Sequence, residues 1–160
     1  MNNLLVMPMA IPVLAGILLI FLRPYVKAQR WISFFVMIAN IGISIYLLNW
    51  IQTDGVQRLD FGGWQPPFGI LFVADSFSVI LVLTTSIVTA ICLLYAFSSV
   101  EKSYENMFFY SFVNFLVAGV NGSFLTGDLF NLYVCFEVML LASYVLIALG
   151  GRKVQLRESM

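Results

Sequence analysis

Five runs of about twenty apolar residues dominate this chain, and each is long enough to cross a hydrocarbon core about 30 Å thick at 1.5 Å per helical residue. They cover approximately 3–22, 31–51, 75–97, 107–126 and 129–149. Inside a bilayer the backbone can satisfy its polar groups only as helices or as a closed barrel. Runs of this length and apolarity read as membrane helices. The sequence therefore predicts an all-α polytopic membrane protein with five transmembrane helices.

The bulk chemistry agrees. Of the 160 residues, 61% are hydrophobic and 10% charged, against about 25% charged in soluble domains. Eight basic and eight acidic side chains balance, which gives no electrostatic handle for nucleic acid. Histidine is absent, so the commonest metal ligand is missing. No metal site and no cofactor is expected from this chain. Cys92 and Cys135 fall inside apolar runs and behave as small hydrophobes.

The first run lacks the basic leader and small-residue cleavage site of a secretory signal and reads as a retained helix. Its Pro8 and Pro12 can bend it if neighbours satisfy the freed backbone groups. Trp31 and Trp50 bracket the second run about 28 Å apart at helical rise, as an aromatic belt at each face would. Basic residues set the orientation. Arg23, Lys27 and Arg30 lie in the first loop, Lys102 in the third, and Arg152, Lys153 and Arg157 after the fifth run, with only Arg58 on the other side. This asymmetry places the N-terminus outside and the C-terminus in the cytoplasm.

The external loop at 52–74 carries turn chemistry in DFGGW and QPPFG, and its alternating aromatic and aliphatic residues fit a short hairpin or a headgroup-level segment. The segment SSVEKSYEN reads as an ordinary polar linker.

Projected at 100° per residue, polarity collects on single faces. Asp75, Ser78, Thr85 and Thr89 share one face of the third run. Ser111, Asn114, Ala118 and Asn121 stripe the fourth, and Tyr133, Glu137 and Tyr144 the fifth. Polar packing between helices is the common use of Ser, Thr and Asn stripes; lining a hydrated path is the alternative for Thr85, Thr89, Asn114 and Asn121. Asp75 and Asp128 stand where carboxylates cap helix N-termini.

Glu137 differs. It lies nine residues beyond Asp128, about 13 Å along the helix and near mid-core. A carboxylate there costs about 2.5 to 3.5 kcal/mol on insertion scales, which the surrounding Leu, Ile, Phe and Val residues offset at about 0.3 to 0.6 each. None of the five runs contains a Lys, Arg or His to pair with it. Either Glu137 carries a proton much of the time or its cation lies outside these 160 residues. An ionisable side chain at that depth is a site for ion or proton handling by default.

The segments GGWQPPFGILFVADSFS, GSFLTGDLFNLYVCFEVMLLASYVLIAL and QLRES together resemble the antiporter-like proton-translocating membrane subunits. These are shared by Mrp-type sodium/proton antiporters and the membrane arm of respiratory complex I. The resemblance covers Met1 to Met160, and Phe136-Glu137 with the preceding GDLFNLY is its specific part. It implies a protein of about fourteen helices with two inverted five-helix repeats, each containing a broken helix, and a midplane chain of charged residues. In that chain the fifth-helix glutamate faces a lysine from the seventh helix.

On that resemblance Glu137 is the relay glutamate, with Tyr133, Tyr144 and Phe136 around it. The chain then reads as the first third of such a membrane protein. Residues 1–105 would form three peripheral helices, and 106–160 the first two helices of an incomplete repeat plus a cytoplasmic tail. The implied function is that of a whole complex in the cell membrane, sodium export in exchange for protons, with the other antiporter subunits, Na+, H+ and the lipid bilayer as partners. A complex I-type proton-pumping role and a non-transporting membrane scaffold are the competing expectations.

Overall fold

The computed structural model describes residues 2–61, 69–100 and 102–149. A 3-10 turn at Asn2–Leu5 leads into α1 (Met7–Phe21), followed by α2 (Val26–Asp54), strands β1 (Gln57–Asp60) and β2 (Leu71–Ala74), α3 (Ser76–Ser99), a single turn α4 (Lys102–Glu105), α5 (Phe109–Leu125) and α6 (Leu129–Ala148). The five long helices correspond to the five apolar runs. Three of them, α2, α3 and α6, are long and apolar enough to cross a membrane alone, whereas α1 and α5 have 15 and 17 residues. The predicted QPPFG turn and the tail with Arg152, Lys153 and Arg157 lie outside the described residues.

Several boundaries differ from the predicted spans for identifiable reasons. The first span, expected at 3–22, divides into the 3-10 turn and α1. Pro8 sits at the start of α1, where its missing N–H is no loss. Pro12 is interior. Lacking an N–H, it leaves the Pro8 carbonyl without its intrahelical donor. Two side chains replace that donor, Asn121 Nδ2 at 2.9 Å and Asn40 Nδ2 at 3.3 Å. Helix α1 is therefore stitched to α5 and α2 through the carbonyl the proline released.

Helix α2 is longer than its predicted span, 29 residues or about 43 Å. Lys27 and Arg30 belong to its first turns rather than to a loop. Gln29, buried beside them, donates to the Leu22 and Arg23 carbonyls at 3.0 and 3.3 Å and so satisfies the C-terminal end of α1. Asp75 caps α3 as expected. Its Oδ1 accepts from Ser78 N–H at 2.8 Å while Ser78 Oγ accepts from Asp75 N–H at 3.1 Å, a reciprocal capping box. Asp128 caps α6 through Phe130 and Asn131 N–H, both at 3.2 Å.

The 52–74 loop does contain a paired hairpin, so the chain is not purely helical. Strands β1 and β2 pair antiparallel with Gln57 opposite Ala74 and Asp60 opposite Leu71. The hairpin is tied to the α5–α6 turn by Gly127 N–H donating to the Leu71 carbonyl at 2.8 Å. A side chain at Gly127 would run into Val73. Phe72 and Ala74 join Leu5, Leu47, Ile51, Val79, Val82 and Leu125 in a core cluster under the hairpin. A second cluster, around Leu19, Met37, Leu93, Tyr110 and Val117, fills the opposite end.

Helix α5 is central. It packs against α1, α3 and α6, while α2 packs on α1 and α3. Residue 105 ends α4, and the helices on either side of it pack together. Close approach of α5 and α6 depends on small residues. A Cβ on Gly119 would lie 2.8 Å from Met139 N and 2.9 Å from Cys135 O, and one on Gly122 would meet the Cys135 sulfur at 2.7 Å.

Candidate functional site

Helix α6 uses only one face on the bundle. Asn131, Cys135 and Ala142 are buried against α5. Tyr133, Phe136, Glu137 and Tyr144 lie on the exposed remainder. The Tyr133 phenol lies against the Glu137 carboxylate one turn away. Tyr144, two turns further on, shares the exposed surface without a hydrogen bond to Glu137 among the described residues. No Lys or Arg among the described residues forms an ion pair with Glu137. The face around it, with Phe136, Leu140 and Leu141, is apolar and open.

The polar stripes do not converge on Glu137. Asn114 is buried and donates to Ser33 Oγ on α2 at 3.0 Å and to the Tyr110 carbonyl at 2.8 Å. Asn121 is spent on Pro8. Both point to the α1 and α2 side of α5, away from α6. Thr85 Oγ1 donates to the Leu81 carbonyl of its own helix at 2.9 Å, and Thr89 is half-buried on α3. In this arrangement the Asn side chains act as interhelical hydrogen bonds.

The linker expected to be plain polar contains the most deeply buried charged side chain among the described residues. Glu105 ends α4 with 0% of its side chain exposed, and Arg30 of α2, 25% exposed, grips it. Arg30 Nε donates to Glu105 Oε1 at 2.8 Å and Nη2 to Oε2 at 2.7 Å, the bidentate geometry that suits guanidinium and carboxylate. The Tyr110 hydroxyl donates to Oε1 at 2.6 Å. Arg30 also stands over the Phe97 ring of α3 at 5.8 Å. One cluster thus joins α2, α3, α4 and α5.

The turn that delivers Glu105 is held from outside as well. Arg23 Nε donates to the Asn106 carbonyl at 3.3 Å, and its guanidinium lies 4.9 Å from the Phe108 ring centre. Phe108 has φ of 65°, a left-handed conformation uncommon for a non-glycine residue. Sequence reasoning assigned Arg30 to a loop and Glu105 to a linker. Opposite charges on one side of the bundle were the available signal, but their 75-residue separation hid the pairing. Among the described residues no group of three His, Cys, Asp or Glu side chains is placed to hold a metal ion.

No family model matches the chain. Curated relatives do. The D-type subunits of the Na(+)/H(+) antiporters of Alkalihalophilus pseudofirmus and of Bacillus subtilis strain 168 are each 50% identical over all 160 residues. A putative antiporter subunit mnhD2 of Staphylococcus saprophyticus is 46% identical over the same length. In each case this chain spans 32% of the relative. Among solved structures, a chain of the Mrp complex from Dietzia sp. DQ12-45-1b superposes with a TM-score of 0.90 at 31% identity, covering 99% of this chain and 30% of that one. A chain of the membrane-bound sulfane sulfur reductase, an archaeal respiratory membrane complex, gives 0.84 at 22% identity over 99% of this chain and 33% of its own, a likeness of fold alone. The 160 residues are similar along their whole length to D subunits of Na(+)/H(+) antiporters and to a chain of an Mrp complex, and they span about a third of the length of those relatives.

Proposed function

We propose that this chain is part of a membrane component of a cation/proton antiporter complex in the cell membrane, and that Glu137 is a proton-relay carboxylate in it. The observation that carries the reading is the placement of Glu137. It sits mid-way along α6, without an ion-pair partner among the described residues, on a face the rest of the bundle leaves bare. A carboxylate so placed suits a cation supplied by another helix or another protein of the complex, as the family's seventh-helix lysine would supply it. Approach or retreat of that cation shifts Glu137 between its ionised and protonated states. Tyr133 holds the carboxylate in either state, and Phe136 helps to keep the site dry.

The reading includes an external N-terminus, five membrane crossings, Na+ export and H+ entry, and association with the other antiporter subunits. Residues 1–105 serve as the peripheral helices and α5 and α6 open the first repeat. Vesicles holding the complete complex test it. A sodium gradient imposed across them should drive an opposite proton flux. Proton movement that requires a reduced quinone and ignores sodium would replace antiport with redox-driven pumping. No proton movement under either condition, with the complex intact, would leave the scaffold role.

A further inference from the structure

At the end of the bundle that carries Arg23, Lys27 and Arg30, a half-open cavity of about 550 Å³ lies between the start of α2 and the α4–α5 turn. Its walls are of two kinds. Pro24, Tyr25, Val26 and Ala28 make the surface predominantly apolar, and Lys27, Arg30 and Glu105 add charge. The charges do not cancel. Glu105 is used entirely by Arg30 and Tyr110, and it occupies only the Nε and Nη2 positions of the guanidinium, leaving Nη1. Lys27 is exposed and forms no hydrogen bond or ion pair among the described residues. Exposed Tyr25 and Trp31 stand at this end of the bundle, residue types that favour a membrane–water interface.

An apolar trough with one net positive charge at its edge, that of Lys27 beside the neutralised Arg30–Glu105 pair, fits an amphiphile with an anionic head. We propose that this cavity is a binding site for an anionic phospholipid. Lys27 and the free edge of Arg30 receive the phosphate, and the first turn of α2 receives the glycerol and upper acyl chain. Basic pockets between membrane helices bind anionic headgroups in this way. Glu105 and Arg30 offset each other as a pair, so Lys27 supplies the net charge and the outward Nη1 of Arg30 supplies a hydrogen-bond donor. By fixing Arg30, Glu105 presents the guanidinium ready-aimed. The proposal stands apart from Glu137 and from antiport, so either can fail alone.

The test uses the complete complex in nanodiscs of phosphatidylcholine containing a minor fraction of phosphatidylglycerol. Lipid retained after detergent extraction is counted by native mass spectrometry. The wild type should keep phosphatidylglycerol in preference to phosphatidylcholine. Lys27→Gln should lower that retention about five-fold, the weight of one basic side chain near anionic lipid. Lys27→Glu should lower it further, while both variants leave the complex assembled. Equal retention by wild type and Lys27→Glu would overturn the proposal. Displacement of the lipid by inorganic phosphate alone would show a free-anion site instead. Protein side chains filling the cavity in a map of the complete complex would show it to be a protein contact.

Discussion

Cutting the Arg30–Glu105 pair from its two ends should give unequal losses. Breaking a buried pair from one side costs about 3 to 5 kcal/mol, because the remaining charge is stranded away from water. The partners here are not equally buried, with 0% of the Glu105 side chain exposed against 25% of Arg30. Arg30→Met strands Glu105 with only the Tyr110 hydroxyl and should cost the full amount. Glu105→Gln leaves Arg30 at the edge of an open cavity where water can reach it, and should cost about 1 to 2 kcal/mol, between exposed and buried values. Arg30→Met combined with Glu105→Gln removes both charges and should recover about 2 kcal/mol of the Arg30→Met loss, a coupling expected of direct contact. The assay is a double-mutant cycle on thermal unfolding of the complete complex in one lipid composition, with Tyr110→Phe as a third arm costing about 1.5 kcal/mol. Equal losses for the two single substitutions, or strict additivity in the double, would refute the assignment of Glu105 as a sequestered charge.

Other regions make their own predictions. Asn121→Leu should destabilise by about 1 kcal/mol, the range of interhelical hydrogen bonds in membranes, and that loss should shrink when Pro12→Ala returns an intrahelical donor to the Pro8 carbonyl; an undiminished loss in the same unfolding assay would contradict the proline account. Gly119→Ala forces a Cβ to within 2.9 Å of α6 backbone atoms and should cost about 1 to 3 kcal/mol as overpacking, visible as a lower midpoint. Asp75→Ala should cost about 1 kcal/mol as a lost cap. Hydrogen bonds from the Ser78 backbone and side chain hold the Asp75 carboxyl below its ordinary value of 3.8. A depressed carboxylate stabilises the fold fully above the unfolded value and loses that contribution as pH falls through the folded one. The difference between wild type and Asp75→Ala should therefore be constant near neutrality and close below about pH 4.

The parts legible in the sequence were those governed by local rules. Hydropathy located all five long helices, the position of Asp75 and Asp128 before apolar runs identified two caps, and the alternation in the 52–74 loop left a hairpin as one of two options. The prolines in α1 implied outside help for a freed carbonyl, and Asn40 and Asn121 provide it. Helix ends were harder, since the first span gives its opening residues to a 3-10 turn and α2 begins well before Trp31. Glu105 was hidden because its burial is made by residues far away in sequence. Arg30, Phe97 and Tyr110 close around it from three helices, and each looks ordinary in its own segment. Glu137 was conspicuous for the opposite reason, a carboxylate whose immediate neighbours are all apolar.

The central claim is that Glu137 carries charge through the proton cycle and does not merely hold the complex together. Its direct test is the rate of sodium-driven proton exchange per assembled complex in vesicles, for wild type, Glu137→Asp and Glu137→Gln. The account predicts normal assembly in all three, exchange abolished by Glu137→Gln and partly kept by Glu137→Asp, which preserves the titratable group. Wild-type exchange by fully assembled Glu137→Gln complexes would contradict it.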